Sequence, residues 1–333
     1  MSNTSFRAMV VEETTESHFV RQIRNKEISS LPKGDVLIKV HYSSLNYKDA
    51  LSATGNKGVT RRYPHTPGID GAGRVESSTH ADFKPGDEVL VTGYDLGMNT
   101  SGGFGQYIRV PAEWVVTLPQ TLSLKESMIY GTAGFTAALS LDKLIQVGIK
   151  PEDGEILVTG ASGGVGSMAV ALLAHCGYTV VAASGKSNAK SVLKALGAHR
   201  VIDRQAVSDT SDKALLRQQW AACVDTVGGA PLRYALRSTN RHGAVTCCGN
   251  VASANLQTTV YPFILRGISL LGVDSATTEM PLRQRIWNNL AGPWKLPNLD
   301  RISSTIGLED LDAHIDKILA GEQIGRRLID LDR

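Results

Sequence analysis

Two rhythms of apolar and polar positions run along this chain. Up to about residue 120, apolar residues alternate with polar ones in short β-branched runs: RAMVVEE, DVLIKVHYSSL, GAGRVESS, DEVLVTG and FGQYIRVP. Gly, Pro and Asp punctuate them, which predicts a compact barrel-type domain of short strands. Near residue 123 the period lengthens. SLKESMIYGTAGFTAALSLDKLI has the length and spacing of a helix, weakened at Gly131 and Gly134. Beyond it EILVTG, YTVVAAS, HRVID, AACVDTVG, HGAVTCCG and ISLLGV read as strands, most of them separated by helix-length segments. Such apolar runs between helices predict a parallel sheet covered on both faces. Toward the end, LEDLDAHIDKILAG carries Leu308, Leu311, Ile315 and Ile318 on one helical face and stops at Gly321, and RRLIDL predicts a final strand.

The junction VTGASGGVGSMAV, 158–170, is the barest stretch of backbone. It follows a strand, opens a helix and starts the first βαβ unit of the alternating region. There, glycines over Gly160–Gly166 allow a tight turn and let backbone N–H groups approach a pyrophosphate at a helix N-terminus. The spacing G-x-x-G-G-x-G varies the usual G-x-G-x-x-G but keeps the close-approach positions bare. A fold selective for NAD usually ends its second strand in an acid that holds the ribose hydroxyls. Here that end reads Ser184, Gly185, Lys186, without an acid. A small loop bearing a cation suits a 2′-phosphate, so NADPH is the expected cofactor. The alternative for Lys186 is a solvated lysine opening the next helix.

Composition narrows the field. At 333 residues, two domains are expected. Net charge is only +3 and the Lys and Arg residues are scattered, unlike a phosphate-binding basic face, so no nucleic-acid partner is expected. No apolar run reaches the ~20 residues of a membrane helix, so no membrane partner is expected either. Acidic residues stand in MSNTSFRAMVVEETTE where a signal peptide needs its apolar core, and Cys176, Cys223, Cys247 and Cys248 lack C-x-x-C spacing. A reducing cytoplasm is the expected setting.

Several segments taken together resemble one family: SSLNYKDAL (43–51), PGIDGAG (67–73), GTAGFTAAL (131–139), DGEILVTGASGGVGS (153–167), DTVGG (225–229) and PFILRGISLLGVDS (262–275). The chain is similar to the medium-chain dehydrogenase/reductase superfamily, and within it to the YhdH/YhfP group of quinone oxidoreductase-like proteins. The resemblance covers almost the whole chain. It implies an α/β fold with a GroES-like β-barrel-type catalytic domain over 1–125, a Rossmann doubly wound parallel sheet over 126–275, and a C-terminal return to the catalytic domain over 276–333. It also implies NADPH-dependent reduction of acryloyl-CoA to propionyl-CoA, and a homodimer. The zinc branch carries thiolate and imidazole ligands where this chain has Asn46-Tyr47 and PGIDGAG, and no cysteine precedes Cys176. No metal is therefore expected. Without zinc to polarise an alcohol, hydride addition to an activated C=C is the natural reaction, with a small-molecule acyl-CoA or enone as substrate. A quinone or alkenal reductase is the alternative, followed by a non-catalytic NADPH-binding protein.

The resemblance implies the site residues too. Tyr47 stands beside the nicotinamide and Asn46 is a hydrogen-bond donor from the same turn, although Tyr47 could simply pack and Asn46 with Asp49 resembles a helix cap. Ser162, Gly163, Gly164 and Val165 form the phosphate turn; Ser184, Gly185 and Lys186 form the 2′-phosphate loop, with Lys186 where the family commonly has arginine. Arg204 lies near the adenine ribose. Asn250, Ile264 and Ser275, in or after later strands, line the nicotinamide side, and Arg326 reaches the cofactor from the returning segment. Lys57, Arg61 and Arg62 in NKGVTRRYPH either clamp the phosphates of coenzyme A or form a solvated loop.

Overall fold

A computed structural model of the chain describes residues 4–15 and 17–333. The chain divides into two compact units. One runs to Thr132 and resumes over Ala276–Gly292 and Asn298–Arg333; the other comprises Ala133–Ser275 and Pro293–Pro297. The first boundary thus falls a few residues beyond the expected 125, and a short piece of the expected C-terminal return, 293–297, belongs to the second unit.

The first unit opens with a hairpin of β1 (Ser5–Thr15) and β2 (His18–Glu27). It continues through β3 (Val36–Leu45), α1 (Tyr47–Ala53), β4 (Asp70–Ser78), β5 (Glu88–Thr92), β6 (Tyr107–Val110) and β7 (Val116–Thr117), and enters α2 (Leu124–Gln146). In β3, Val36, Ile38 and Val40 are buried on one face, while on the other Lys39 is exposed and Leu37 packs in a second apolar cluster. β2 has no comparable alternation and no fully buried residue, so its polar sequence HFVRQIRNKE predicted no strand.

The second unit holds β8 (Glu155–Val158), α3 (Gly164–His175), β9 (Thr179–Ser184), α4 (Lys190–Ala195), β10 (Arg200–Asp203), β11 (Trp220–Asp225), α5 (Gly229–Ser238), β12 (Thr239–Cys247), α6 (Tyr261–Arg266) and β13 (Ser269–Gly272). All pairings are parallel and the order is β10-β9-β8-β11-β12-β13, the 3-2-1-4-5-6 arrangement of a dinucleotide-binding fold. Buried Val180–Ala183 and Ala222–Val224 show why these strands read as continuous apolar runs. One helix-length segment, SDKALLRQQ before β11, forms no helix.

The first unit then resumes with α7 (Met280–Ala291), β14 (Ser303–Ile306), α8 (Leu311–Leu319) and β15 (Arg326–Asp330). β15 pairs with β3 and completes the sheet β14-β15-β3-β4-β5-β7, with β6 also on β3. Ile306, Leu308, Leu311, Ile315 and Ile329 join the core that holds Val36, Ile38 and Val40. The tail is therefore part of this unit's hydrophobic core, not an appendage. Among the described residues no helix is long and apolar enough to cross a membrane.

Candidate functional site: a closed polar centre and an open phosphate turn

In the first unit, β3 ends at Leu45 and the chain turns through Asn46 into α1. Asp49, in the first turn of that helix, accepts the Asn46 N–H at Oδ2 and the Ile69 N–H at Oδ1, each at 2.8 Å. Those two bonds tie the helix start to the PGID segment. Asp49 is wholly buried. Burial, and then the neighbouring Asp70 charge, push its carboxyl up to about 7, against the pull of the two backbone N–H groups.

Asp70 is the hub. Its carboxylate accepts from the Ser44 hydroxyl at 2.5 Å, the Asn46 amide at 2.7 Å, the Thr132 hydroxyl at 2.6 Å and the Thr132 N–H at 3.0 Å. Arg326, only 1% exposed, lies opposite, its Nη2 3.8 Å from Asp70 Oδ2. The guanidinium also donates to Ile129 O at 3.1 Å, Leu45 O at 3.2 Å, Asn46 Oδ1 at 3.0 Å and the Ser44 hydroxyl at 2.7 Å. Gly131 breaks α2 here with φ 51° and ψ −158°. A Cβ on it would stand 2.5 Å from both Asp70 Oδ2 and Ser44 Oγ and 2.8 Å from Arg326 Nη2. The weak point in the helical pattern is the close approach that lets the cluster form.

Two of the expected residues have protein partners in this geometry. Four protein acceptors and Asp70 enclose Arg326. Asn46 is not a free donor, because its amide gives one N–H to Asp70 and the other to Ser44 O at 3.2 Å. Tyr47, next in the chain, is half-buried and makes no hydrogen bond among the described residues. Asp70, Asp49, Ser44 and Thr132 were missed as parts of a polar centre. An acid in PGIDGAG, between apolar neighbours, was the available signal, but its partner Arg326 lies at the other end of the chain.

In the second unit, Gly163 precedes α3. The N–H groups of Gly164, Val165 and Gly166 come before the first intrahelical bond, Ser167 N to Gly163 O at 2.9 Å, so they point out of the helix end. A Cβ on Gly166 would meet Gly160 O at 2.3 Å and Ala161 Cα at 2.7 Å, so only glycine lets this helix pack on its own turn. The turn is joined to the end of β9: the Ser184 hydroxyl donates to Ser162 Oγ at 3.0 Å and accepts the Lys186 N–H at 3.2 Å. Arg204, just after β10, covers the same loop, with its Cδ 2.5 Å from where a Gly185 Cβ would be. The structure therefore brings Ser162, Ser184, Gly185, Lys186 and Arg204 together. The acid nearest this loop, Asp203, turns its carboxylate to the Gln205 N–H at 2.7 Å. Open N–H groups, a turn without room for a side chain and two cations beside it fit a phosphorylated dinucleotide.

The remaining expected residues are dispersed. Asn250 is exposed in the loop after β12 and Ser275 is half-buried after β13. Ile264 is in neither a strand nor a strand end; it is on α6 and 67% exposed, beside exposed Val260, Tyr261 and Leu265. In the first unit Lys57 is already engaged, bonding Glu13 at 2.6 Å and lying over the rings of Phe19 and Tyr63. Arg61 and Arg62 are exposed, as is Lys57 itself.

Comparison with known proteins adds to this geometry. Residues 32–120 match the sequence model of alcohol dehydrogenase GroES-like domains, and residues 164–289 match that of zinc-binding dehydrogenases. YhfP of Bacillus subtilis, described as a quinone oxidoreductase, is 44% identical over 330 residues, 99% of this chain and 100% of its own. Its crystal structure with NAD bound has a TM-score of 0.95, covering 98% of this chain and 99% of that one. The acrylyl-CoA reductase AcuI of Ruegeria pomeroyi is 40% identical over 328 residues, 98% of this chain and 99% of its own. The YhdH oxidoreductase of Salmonella enterica, crystallised in complex with NADP, is 43% identical with a TM-score of 0.94, over 97% and 99% of the two chains. The zinc in the name of one sequence model finds no suitable donors in the polar centre. Asp70 with the side-chain oxygens of Asn46, Ser44 and Thr132 offers neither thiolate nor imidazole, and the Arg326 cation already faces the carboxylate. Among the described residues no three His, Cys, Asp or Glu side chains are grouped to hold a metal ion.

Proposed function

We propose that this chain, which belongs to the YhdH/YhfP group of the medium-chain dehydrogenase/reductase superfamily, reduces the activated C=C bond of an enoyl thioester with NADPH, acryloyl-CoA being the favoured substrate. The observation that carries the NADPH part is the acid-free end of β9, where Lys186 and Arg204 flank Gly185. A 2′-phosphate gains two cations there, and the nearby Asp203 carboxylate is turned to the Gln205 N–H. NADP in the crystallised YhdH relative supports this reading, and NAD in YhfP makes the strength of the preference a quantity to measure.

NADPH, when bound, supplies the hydride. The chain's residues do the rest. Ser162, Gly163, Gly164 and Val165 hold the pyrophosphate at the helix end, and Ser184, Gly185, Lys186 and Arg204 hold the adenosine phosphate. Asn250 and Ser275 are assigned to the nicotinamide side. Tyr47, with no internal hydrogen bond, is assigned to packing on the nicotinamide ring. In this reading the substrate brings its own electrophilic carbon. An α,β-unsaturated thioester does so: its carbonyl withdraws electrons from the β-carbon, which takes the hydride, and the α-carbon then takes a proton. The name of the Ruegeria relative supports the thioester, and that of the Bacillus relative supports a quinone as second reading.

The experiment is a comparison of NADPH oxidation with acryloyl-CoA, a benzoquinone and acrolein under one set of conditions. Acryloyl-CoA should give the largest kcat/KM. A quinone preferred over the thioester would replace the first reading with the second. NADPH binding without oxidation in all three would point to a non-catalytic binding protein.

We further propose a homodimer through the edge of the six-stranded sheet. β13 ends that sheet, Leu270 on it is exposed, and the apolar strip of α6 lies in the segment just before it. An unpaired apolar edge strand is a ready template for a second copy. Light scattering should give twice the 35.7 kDa chain mass.

A further inference from the structure

The second unit has a basic cavity away from the phosphate turn. It measures about 260 Å³ and is lined by Lys213, Arg233, Arg237, Gln257, Thr258 and Thr259, with Asp212 also at its wall. Arg233 and Arg237 stand one turn apart on α5 and so share a face of it. They occupy the C-terminal half of that helix. In a parallel α/β unit this half points toward the starts of the strands, whereas the phosphate turn lies beyond the strand ends.

The charges here are unevenly matched. Arg237 is 2% exposed; it pairs with Asp209 at 3.1 Å, and its Nη2 donates to Ser211 O at 3.0 Å. Its Nε is buried with no hydrogen-bond partner. Such a donor, next to a charged group and away from water, calls for an acceptor. Arg233 donates only to Ser211 O, at 3.3 Å, and Lys213 has no partner among the described residues. Asp209 and the carbonyl end of α5 balance Arg237, which leaves two further cations against the one carboxylate of Asp212. The opposite wall adds only neutral donors, the Gln257 amide and two threonine hydroxyls. Two cations against one carboxylate, with neutral polar groups around a small cavity, together describe a receptor for a compact anion.

We propose that this cavity is an anion site that takes the phosphate group of a small phosphorylated ligand. Such a group offers several acceptor oxygens to Lys213 and to Arg233, whose one bond is the 3.3 Å contact with Ser211 O. The site is separate from the proposed NADPH turn, so it stands or falls independently of the proposed reaction.

The test uses the full chain saturated with NADPH, so that the turn is already filled. Inorganic phosphate is titrated calorimetrically at constant ionic strength made up with chloride, and adenosine 3′,5′-bisphosphate is titrated in parallel. Saturable phosphate binding is expected, weakened at least tenfold by the double substitution Lys213→Ala with Arg233→Ala, with NADPH affinity unchanged. Equal affinity for the two probes identifies the phosphate alone as the ligand feature, and tighter bisphosphate binding identifies a nucleotide; both sustain the site. Lys213→Glu, at an exposed position, gives the same test should the double variant fail to fold. Phosphate that does not saturate by roughly 10 mM, or that binds the variants as well as the parent, overturns the proposal.

Discussion

The two polar regions of this molecule are built in opposite ways. In the first unit Asp70 and Arg326 face each other in the core, and nearly every polar atom around them has a partner within the chain. In the second unit the start of α3 leaves three backbone N–H groups open, Lys186 follows the acid-free end of β9, and Arg204 covers the same loop. The closed centre fixes a shape, since desolvated charges persist only when fully paired. The open turn suits a ligand, since the first N–H groups of α3 have no intrahelical acceptor. Disturbing the first should therefore move stability, and disturbing the second should move cofactor affinity.

Arg326→Met gives the largest effect. It leaves the Asp70 carboxylate buried without its cation, which costs about 3–5 kcal/mol of stability. Chemical denaturation measures it, and a loss under about 1 kcal/mol would show that the centre is not held by this pair. Asp49 comes next. Its folded carboxyl sits near 7 and its ordinary value is 3.8, so the folded chain holds this proton more tightly than the unfolded one. The stabilising contribution is complete below pH 3.8 and is lost as pH rises through 7. A shift of this size corresponds to at most about 4 kcal/mol. Relative to Asp49→Asn, wild type should lose stability steadily over that window and level off above it. Wild type that holds or gains stability relative to the variant as pH rises from 3.8 to 7 would contradict the assignment.

The open turn is tested by affinity. Gly166→Ala puts a methyl against the Gly160 carbonyl and should weaken NADPH roughly a hundredfold, about 2.7 kcal/mol, read by fluorescence titration. Lys186→Ala is the mildest change. It should cost NADPH about tenfold and leave NADH nearly unchanged. Equal losses for both cofactors would remove Lys186 from the 2′-phosphate. An unfolding midpoint altered as much as affinity in Lys186→Ala would erase the contrast between the two regions.

How much of this was legible in the chain follows from locality. The phosphate turn is a contiguous run of small residues at a strand-to-helix junction, and the strands beside it are apolar throughout, so both stood out. The sheet of the first unit was legible where one face is buried, as in β3, and hidden in β2, whose charged residues alternate with nothing. The polar centre was hidden for another reason. Asp70 and Arg326 meet only because β15 returns to pair with β3, and no short motif records that pairing. Arg326 therefore read as a cofactor ligand and Asn46 as a free donor. Both residue types suit those roles, and only the contacts reveal that their hydrogen bonds are already made.

The central claim is conjugate reduction, and isotope placement tests it most directly. NADPH carrying deuterium at the transferred position is turned over with acryloyl-CoA, and the product is read by NMR. Hydride addition to the electrophilic carbon predicts deuterium at the β-carbon of propionyl-CoA and solvent hydrogen at the α-carbon. Deuterium at the α-carbon, or a product with no label, would contradict the account.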